Sequence, residues 1–595
     1  MSSPRLLFCA LLLLALSCSP HPKVAAPPPA AAAKPLGNAD AAASKVTELA
    51  DAYVEAYLRR FPENGTLALW PGARHDGLTD NTPAAVRAWQ AEEDGLAARL
   101  ADVDGDSLWG RPEWVTYGFL REALESARAI RVCRYELWPV NQMSGWQASF
   151  ADLANAQPVG TPDLRSQALA RWRGLPGYLD MEIANLREGL RQGFSTPKRD
   201  VELVGEQLDG LLAAPLTDSP FWSPARRDPD PAFQKAWEEL LRDKVVPAAR
   251  RYRRLLAEEY LAAAREPLAV AANPDGDQCY AASLRAQTTL DRPSREIFDM
   301  GMRALADREK RMRELGLRIY GTADLAAIRD RLTAETKNRF VSRDEALAHA
   351  RATVEKARLA LPAWFGLLPK ASVAVEPLPA YEEKSSYSQY VQASQDGSRP
   401  GVYEINLGRG EGTDRARAEV TAFHEAYPGH HLQIAIAQER AQAHPITRLL
   451  GNAGFAEGWG RYAETLADDM GLYSSDLNRL VLAAGLPTGM VVDPGLHAMG
   501  WTRQHAIDFF RSKQAGATAA DAEAYVDRIS VLPGQMATYG VGEREILELR
   551  EQAKRELGDR FDIREFHDGV LENGSITLGM LRRQIEHWIA ERKKA

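Results

Sequence analysis

Apolar positions recur along this chain with the helical period for hundreds of residues. From about Leu49 onward, Val54, Tyr57, Leu58 and Phe61 fall three and four apart, which places them on one helix face. The same spacing predicts helices over 84–101, 112–130, 163–192, 231–264, 294–316 and 343–361, with no fixed repeat period. The stretches 218–230 and 273–277, rich in Pro and Asp and in the second case also Gly, read as the loops between them.

The pattern changes once. After turn residues Asp396 to Gly401, the run Val402-Tyr403-Glu404-Ile405-Asn406-Leu407 alternates with the period of a strand, and Gly408 ends it. Such a strand is either a short structural element or an edge that takes an extended peptide, with Tyr403 among its substrate contacts. Helical periodicity then returns. Thr413 or Asp414 caps a helix carrying Ala416, Val420, Phe423 and Tyr427, and helix resumes through Leu432, Ile434 and Ile436.

The interruption between those two segments concentrates the chemistry. Three of the chain's eleven histidines, His424, His430 and His431, lie within eight residues, and Glu425 follows the first. A hydrolytic zinc is typically held by imidazoles and a carboxylate with one position open to water, and a neighbouring glutamate takes that water's proton. The spacing of six or seven does not suit an unbroken helix: six residues turn it through about 240°, and seven advance the same face by about 10 Å. Pro428 and Gly429 resolve this, since proline removes a backbone hydrogen bond and glycine tolerates the resulting geometry. Read as a two-residue bulge, the break makes His430 the second ligand, with His431 in reserve. The third ligand is expected in Phe455 to Glu464, where Glu457 and Glu464 are seven apart and share a face. One of them would bind the metal and the other would orient a ligand.

Further along, the Gly- and Pro-marked stretch Val491 to Arg503 reads as a turn between helices, and Tyr539 stands among glycines at the start of another helix. A tyrosine hydroxyl can donate to the oxyanion formed when water attacks a peptide carbonyl, worth about 3 kcal/mol. His497 or Arg503 could do similar work or hold a substrate carboxylate.

Composition narrows the setting. With 45% hydrophobic and 26% charged residues the chain can bury a large core. Its net charge of -8, without an extended basic tract, gives no footprint for nucleic acid. Arg5 precedes an apolar run from Leu6 to Leu16, too short to span a bilayer but suited to a signal peptide. The run ends in Ala15-Leu16-Ser17-Cys18, similar to a bacterial lipoprotein box in which Cys18 is lipidated; the alternative is an ordinary cleaved signal. Residues 19–45, rich in Pro and Ala, read as a tether. Beyond the signal only Cys133 and Cys279 remain, either paired or free. The expected organisation is a signal over 1–18, the tether, and one large helical body over 46–595, with a shell to 370 and a metal-site half over 371–595.

Together these residues carry a family pattern. The run His424-Glu425-Ala-Tyr-Pro428-Gly429-His430-His431-Leu-Gln resembles the bacterial family catalogued as domain of unknown function 885. Also similar are Ala456-Glu457-Gly458-Trp459, Val491-Val492-Asp493 with Gly495-Leu496-His497, Pro533-Gly534-Gln535 with Tyr539 and Gly542, and Glu565-Phe566-His567-Asp568. The resemblance implies a gluzincin metallopeptidase: a mainly α, zincin-like fold with a small β-sheet edging a deep active-site cleft. Dipeptidyl peptidase III carries one extra residue in its zincin motif, so an expanded spacing occurs in that clan. The Asn-Glu-Gly-Phe-Ala segment of neutral aminopeptidases resembles Ala456 to Trp459, which points to Glu457 as the metal carboxylate. The family's usual Arg-Leu-Val-Val-Asp-Thr-Gly is Gly489 to Gly495 here, so the arginine is missing and no carboxylate-binding role carries over at that position.

The expectation is thus a lipid-tethered zinc peptidase of the bacterial cell envelope, facing the periplasm or exterior. One zinc would sit on His424, His430 and Glu457, with Glu425 as base and Tyr539 as oxyanion donor. The membrane would be met only through the anchor. The alternatives are a zinc hydrolase of a non-peptide amide and a non-catalytic envelope binding protein, which would need no Glu425.

Overall fold

The computed structural model describes residues 38–594 apart from 337, 379–382, 384–386, 394–399, 409 and 441. Cys18, the signal, most of the tether and Asp396 to Arg399 lie outside the described residues. The chain is mainly helical. Helices run over Pro83–Ala101, Pro112–Ile130, Pro162–Gln192, Ser294–Tyr320 and Arg343–Ala360, and a long helical stretch from Pro231 to Ala263 contains two short π-helical turns. Three of these begin with proline at the first helical position behind a capping side chain. Thr82 accepts from Ala85 N–H, Thr161 from Leu164 N–H, and Asp230 from Ala232 and Phe233 N–H. Proline costs nothing there because its missing N–H has no partner in the first turn.

Several boundaries differ from expectation. The first helix begins at Asn38, so the end of the expected tether is helical, and its Val46 and Leu49 are fully buried. Within 218–230, Pro220–Trp222 and Ser223–Arg227 are helical turns, drawn in by the buried Phe221. Gly489–His497 is itself a helix despite Pro494. Tertiary contacts override the local signal there: the buried Asp493 carboxylate accepts from Tyr280 O–H and from Gly534 and Met536 N–H.

The three strands form one sheet in the order β1 (Val373–Pro377), β3 (Gly401–Ile405), β2 (Gln389–Val391). β3 is parallel to β1 and antiparallel to β2, with Tyr403 opposite both Val375 and Tyr390. The segment expected as an edge is therefore the central strand. Both its sides are occupied, and the fully buried Tyr403 packs in the core instead of meeting substrate.

One core runs from Ala43 to Ile589 and joins helices of both halves of the chain; a second lies within Val140 to Ala264. Cys133 and Cys279 are joined by a disulfide within the first core. At its centre the helices Ala453–Asp469 and Ala537–Leu557 make the most extensive helix–helix contact. They cross at Gly458 and Gly542, where a Cβ on Gly458 would come within 2.4 Å of the Gly542 Cα. That close crossing sets Glu457 beside the start of the Tyr539 helix.

Candidate metal centre

The helix Arg415–Glu425 is capped by Asp414, whose side chain accepts from Arg417 N–H. It ends completely at Glu425, and a new helix starts at His430. The linking segment contains a cis Tyr427–Pro428 peptide bond. The expected two-residue bulge is thus a full break between two helices. Its freed carbonyls are buried, and Trp459 serves them: its indole N–H donates to Pro428 O at 3.0 Å.

The break turns His430 back toward His424. Their rings are nearly perpendicular with centroids 4.6 Å apart, and Glu457 completes a triad whose potential ligand atoms lie within 4.8 Å of one another. Glu457 Oε2 is 3.7 Å from His424 Nε2 and 3.8 Å from His430 Nε2. Donors held about 2.1 Å from a tetrahedral ion stand about 3.4 Å apart, so little contraction is needed to enclose one. The His430 side chain is 5% exposed, against 14% for His424 and 18% for Glu457. Access is therefore from one side.

The three side chains act strongly on one another's charge. Burial opposes charge on His424, but the Glu457 and Glu464 carboxylates and the Glu425 charge outweigh it and raise the imidazole to about 10. Burial and the charge of His424 push His430 down to about 4. Glu457 and Glu464 are lowered although burial acts to raise them, Glu457 chiefly by His424 and His430, Glu464 chiefly by Arg461 and His424. The His430 ring makes no hydrogen bond with any described residue, and its buried Nδ1 has no partner. A neutral imidazole sunk in this way, its Nε2 facing a carboxylate beyond hydrogen-bond range, suits a ligand better than a structural residue.

The surrounding residues fix the candidate ligands. His424 Nδ1 donates to Glu464 Oε1 at 2.9 Å, which leaves Nε2 for the centre. Glu464 Oε2 in turn accepts from Arg461 Nη1 at 2.7 Å. The His424 ring lies against Gly460, where a Cβ would come within 2.5 Å of the ring Cε1. Gly460 and Arg461 had no role in the sequence reading; a glycine three residues after Glu457, on the same helix face, is the signal that could have found the first.

His431 is directed away from the triad. Its Nδ1 meets Tyr390 Oη at 2.9 Å, and its Nε2 lies near Tyr427 Oη and Ala371 O. It ties the sheet to the helix and is no alternative ligand. His497 is 1% exposed, with Nδ1 accepting from Val270 N–H and Nε2 donating to Ile529 O. Arg503 makes a two-pronged pair with Asp527. Neither is placed to hold substrate as expected, because both are committed to interhelical contacts.

Glu425 closes the His424 helix, half-buried, and its charge acts on His424. Tyr539 is raised to about 12 by burial and by the charge of Glu457, so it stays a hydroxyl donor at neutral pH. A cleft of about 1060 Å³ has Val420, Thr421, Tyr525 and Arg528 in its wall, the first two of them on the His424 helix. Thr421 shares a helix face with Glu425.

The family described as bacterial protein of unknown function (DUF885) matches residues 62–585. A crystal structure from Colwellia psychrerythraea, described as a "putative lipoprotein", superposes with a TM-score of 0.80 at 23% identity, covering 93% of this chain and 99% of that one. A Shewanella oneidensis protein with the same description, of unknown function, gives 0.71 at 19% identity, covering 91% and 99%. These likenesses show a shared fold. No curated protein matches the chain.

Proposed function

The chain belongs to the DUF885 family, and on that footing we propose that it is a zinc-dependent peptidase with a zincin-like centre on His424, His430 and Glu457. The observation that carries the reading is the convergence of these three side chains from two helices and a following one, with a glutamate beside the first histidine. Zinc fits the donor set of two imidazole nitrogens and one carboxylate, and when bound it would supply Lewis-acid polarisation and lower the pKa of water.

The chain's own residues then divide the work. Glu425 takes a proton from the attacking water and passes it to the amine nitrogen as the C–N bond breaks; the water oxygen stays on the carbonyl carbon. Tyr539 donates its O–H to the carbonyl oxygen as charge develops there. Glu464 and Arg461 hold the His424 ring in place. The cleft beside Thr421 gives an extended chain room to lie along the centre.

The setting is an oxidising one. The Cys133–Cys279 disulfide belongs to such compartments, and a lipid on Cys18 would hold the enzyme at the cell envelope. Among the described residues, no helix is long and apolar enough to cross a membrane.

The test is incubation of the zinc-loaded mature protein with a mixed peptide library and a panel of non-peptide amides. Peptide cleavage that Glu425→Gln reduces by about a hundredfold or more, with zinc still bound, is the expected result. Cleavage confined to non-peptide amides, or none at all, would refute the peptidase reading.

A further inference from the structure

Resting on that reading, we propose that Arg528 is the anion anchor of the cleft, taking a substrate carboxylate and directing the centre to peptides that present one beside the bond cut. His497 and Arg503, the cationic candidates from the sequence, are spent on structural contacts. Arg528 is differently placed. It lies on the helix Ala519–Val531 and forms part of the wall of the 1060 Å³ cleft. Its Nη2 donates to Gln535 Oε1 at 2.8 Å, and Gln535 stands four residues before Tyr539. Among the described residues, no carboxylate oxygen lies within 4 Å of its guanidinium, and its buried Nε has no partner.

By contrast, Arg199 in the same wall is paired with Asp527 at 3.0 Å. Arg528 also acts on Tyr539, to which its side chain is hydrogen-bonded. A guanidinium whose partners are neutral, the Gln535 amide and the Tyr539 hydroxyl, and which pairs with no described carboxylate is suited to a substrate carboxylate, which it can take in a two-pronged geometry. The anion could be a chain's terminal carboxylate or an acidic side chain.

The experiment uses the mature protein as purified, and again after chelation. Binding of N-acetyl-Ala-Ala-Phe as free acid, of its C-terminal amide, and of N-acetyl-Ala-Glu-Phe amide is followed by saturation-transfer NMR. Wild type should favour one or both carboxylate peptides over the neutral amide by about tenfold or more. Arg528→Met should abolish that preference, and Arg528→Lys should restore part of it. In turnover, Arg528→Met should raise KM for the favoured peptide by about tenfold more than for the neutral amide.

Equal binding of all three peptides by wild type would overturn the proposal without any variant. So would a preference that survives Arg528→Met, or one that vanishes on chelation, which would assign the anion to the metal. The binding arm is independent of catalysis. Selective binding without cleavage leaves Arg528 assigned and refutes the peptidase; cleavage indifferent to the carboxylate does the reverse.

Discussion

At the scale of single residues, the proposed centre depends on what surrounds the candidate ligands as much as on those side chains themselves. Gly460 leaves the space that His424 occupies, and any Cβ there would collide with the imidazole. Gly460→Ala should therefore weaken zinc binding by about ten- to a hundredfold while the helix, which alanine favours, is retained. Competition with a chelator of known affinity measures the first and circular dichroism the second; unchanged affinity would mean that the ring does not need that space. His424 and His430 stood out in the sequence because their motif is rare and tightly spaced, whereas Glu457 was separated from Glu464 only by the resemblance; the structure brings the three side chains together. The choice of His430 over His431 needed the structure, since adjacent residues on a helix point about 100° apart and only the break decides which one faces inward. Tyr403, His497 and Arg503 were misread for one reason. A polar or aromatic side chain near a motif looks the same in sequence whether it faces a cleft or closes an interhelical bond.

At the scale of elements, two devices position the triad: the break after Glu425 and the close crossing at Gly458 and Gly542. The Trp459 indole joins them, because it projects from the Glu457 helix and bonds the Pro428 carbonyl. Trp459→Phe keeps most of the apolar area but strands a buried carbonyl. The expected cost is about 1–3 kcal/mol of stability together with weaker metal binding. Denaturant unfolding with and without zinc tests this; a variant as stable as wild type would show that the bond contributes nothing. Helices with proline starts and side-chain caps were legible in the sequence to within a few residues. The helix over Gly489–His497 was not, since it is held by the Asp493 contacts with distant backbone and not by its own composition. The strand at 401–405 was legible as a strand, but its central place was not. Its partners are the short strand Gln389–Val391 and the parallel strand Val373–Pro377, and neither announces the pairing in its own residues.

At the scale of the molecule, one core unites both halves, and buried ionisable groups outside the centre make stability depend on pH. Asp200 is fully buried between two helices and accepts from Ser530 O–H and Gln142 N–H; burial raises it to about 7. Its ordinary value near 3.8 applies to the unfolded chain. Since the folded value is the higher one, the favourable contribution is complete below about pH 3.8 and is lost as pH rises through 7. Asp200→Asn mimics the protonated acid, and the Ser530 hydroxyl, which also reaches Asp527 O, can accept from the new amide. The variant should be nearly as stable as wild type at pH 5 and more stable at pH 8, by on the order of 2 kcal/mol. Thermal unfolding at both pH values checks this, and a difference that does not change with pH would contradict it. The helical class and the scale of the core followed from periodicity and composition. Which helices share which core did not, because packing partners far apart in the chain leave no local trace.

The proposed metal centre is tested most directly by elemental analysis of the purified mature protein beside His424→Ala, His430→Ala, Glu457→Ala and His431→Ala. The expected result is about one zinc per wild-type chain, lost in the first three variants and retained in His431→Ala, which loses stability instead because its ring ties sheet to helix. A wild-type protein without zinc, or one that loses its zinc only with His431, would contradict the centre at its foundation.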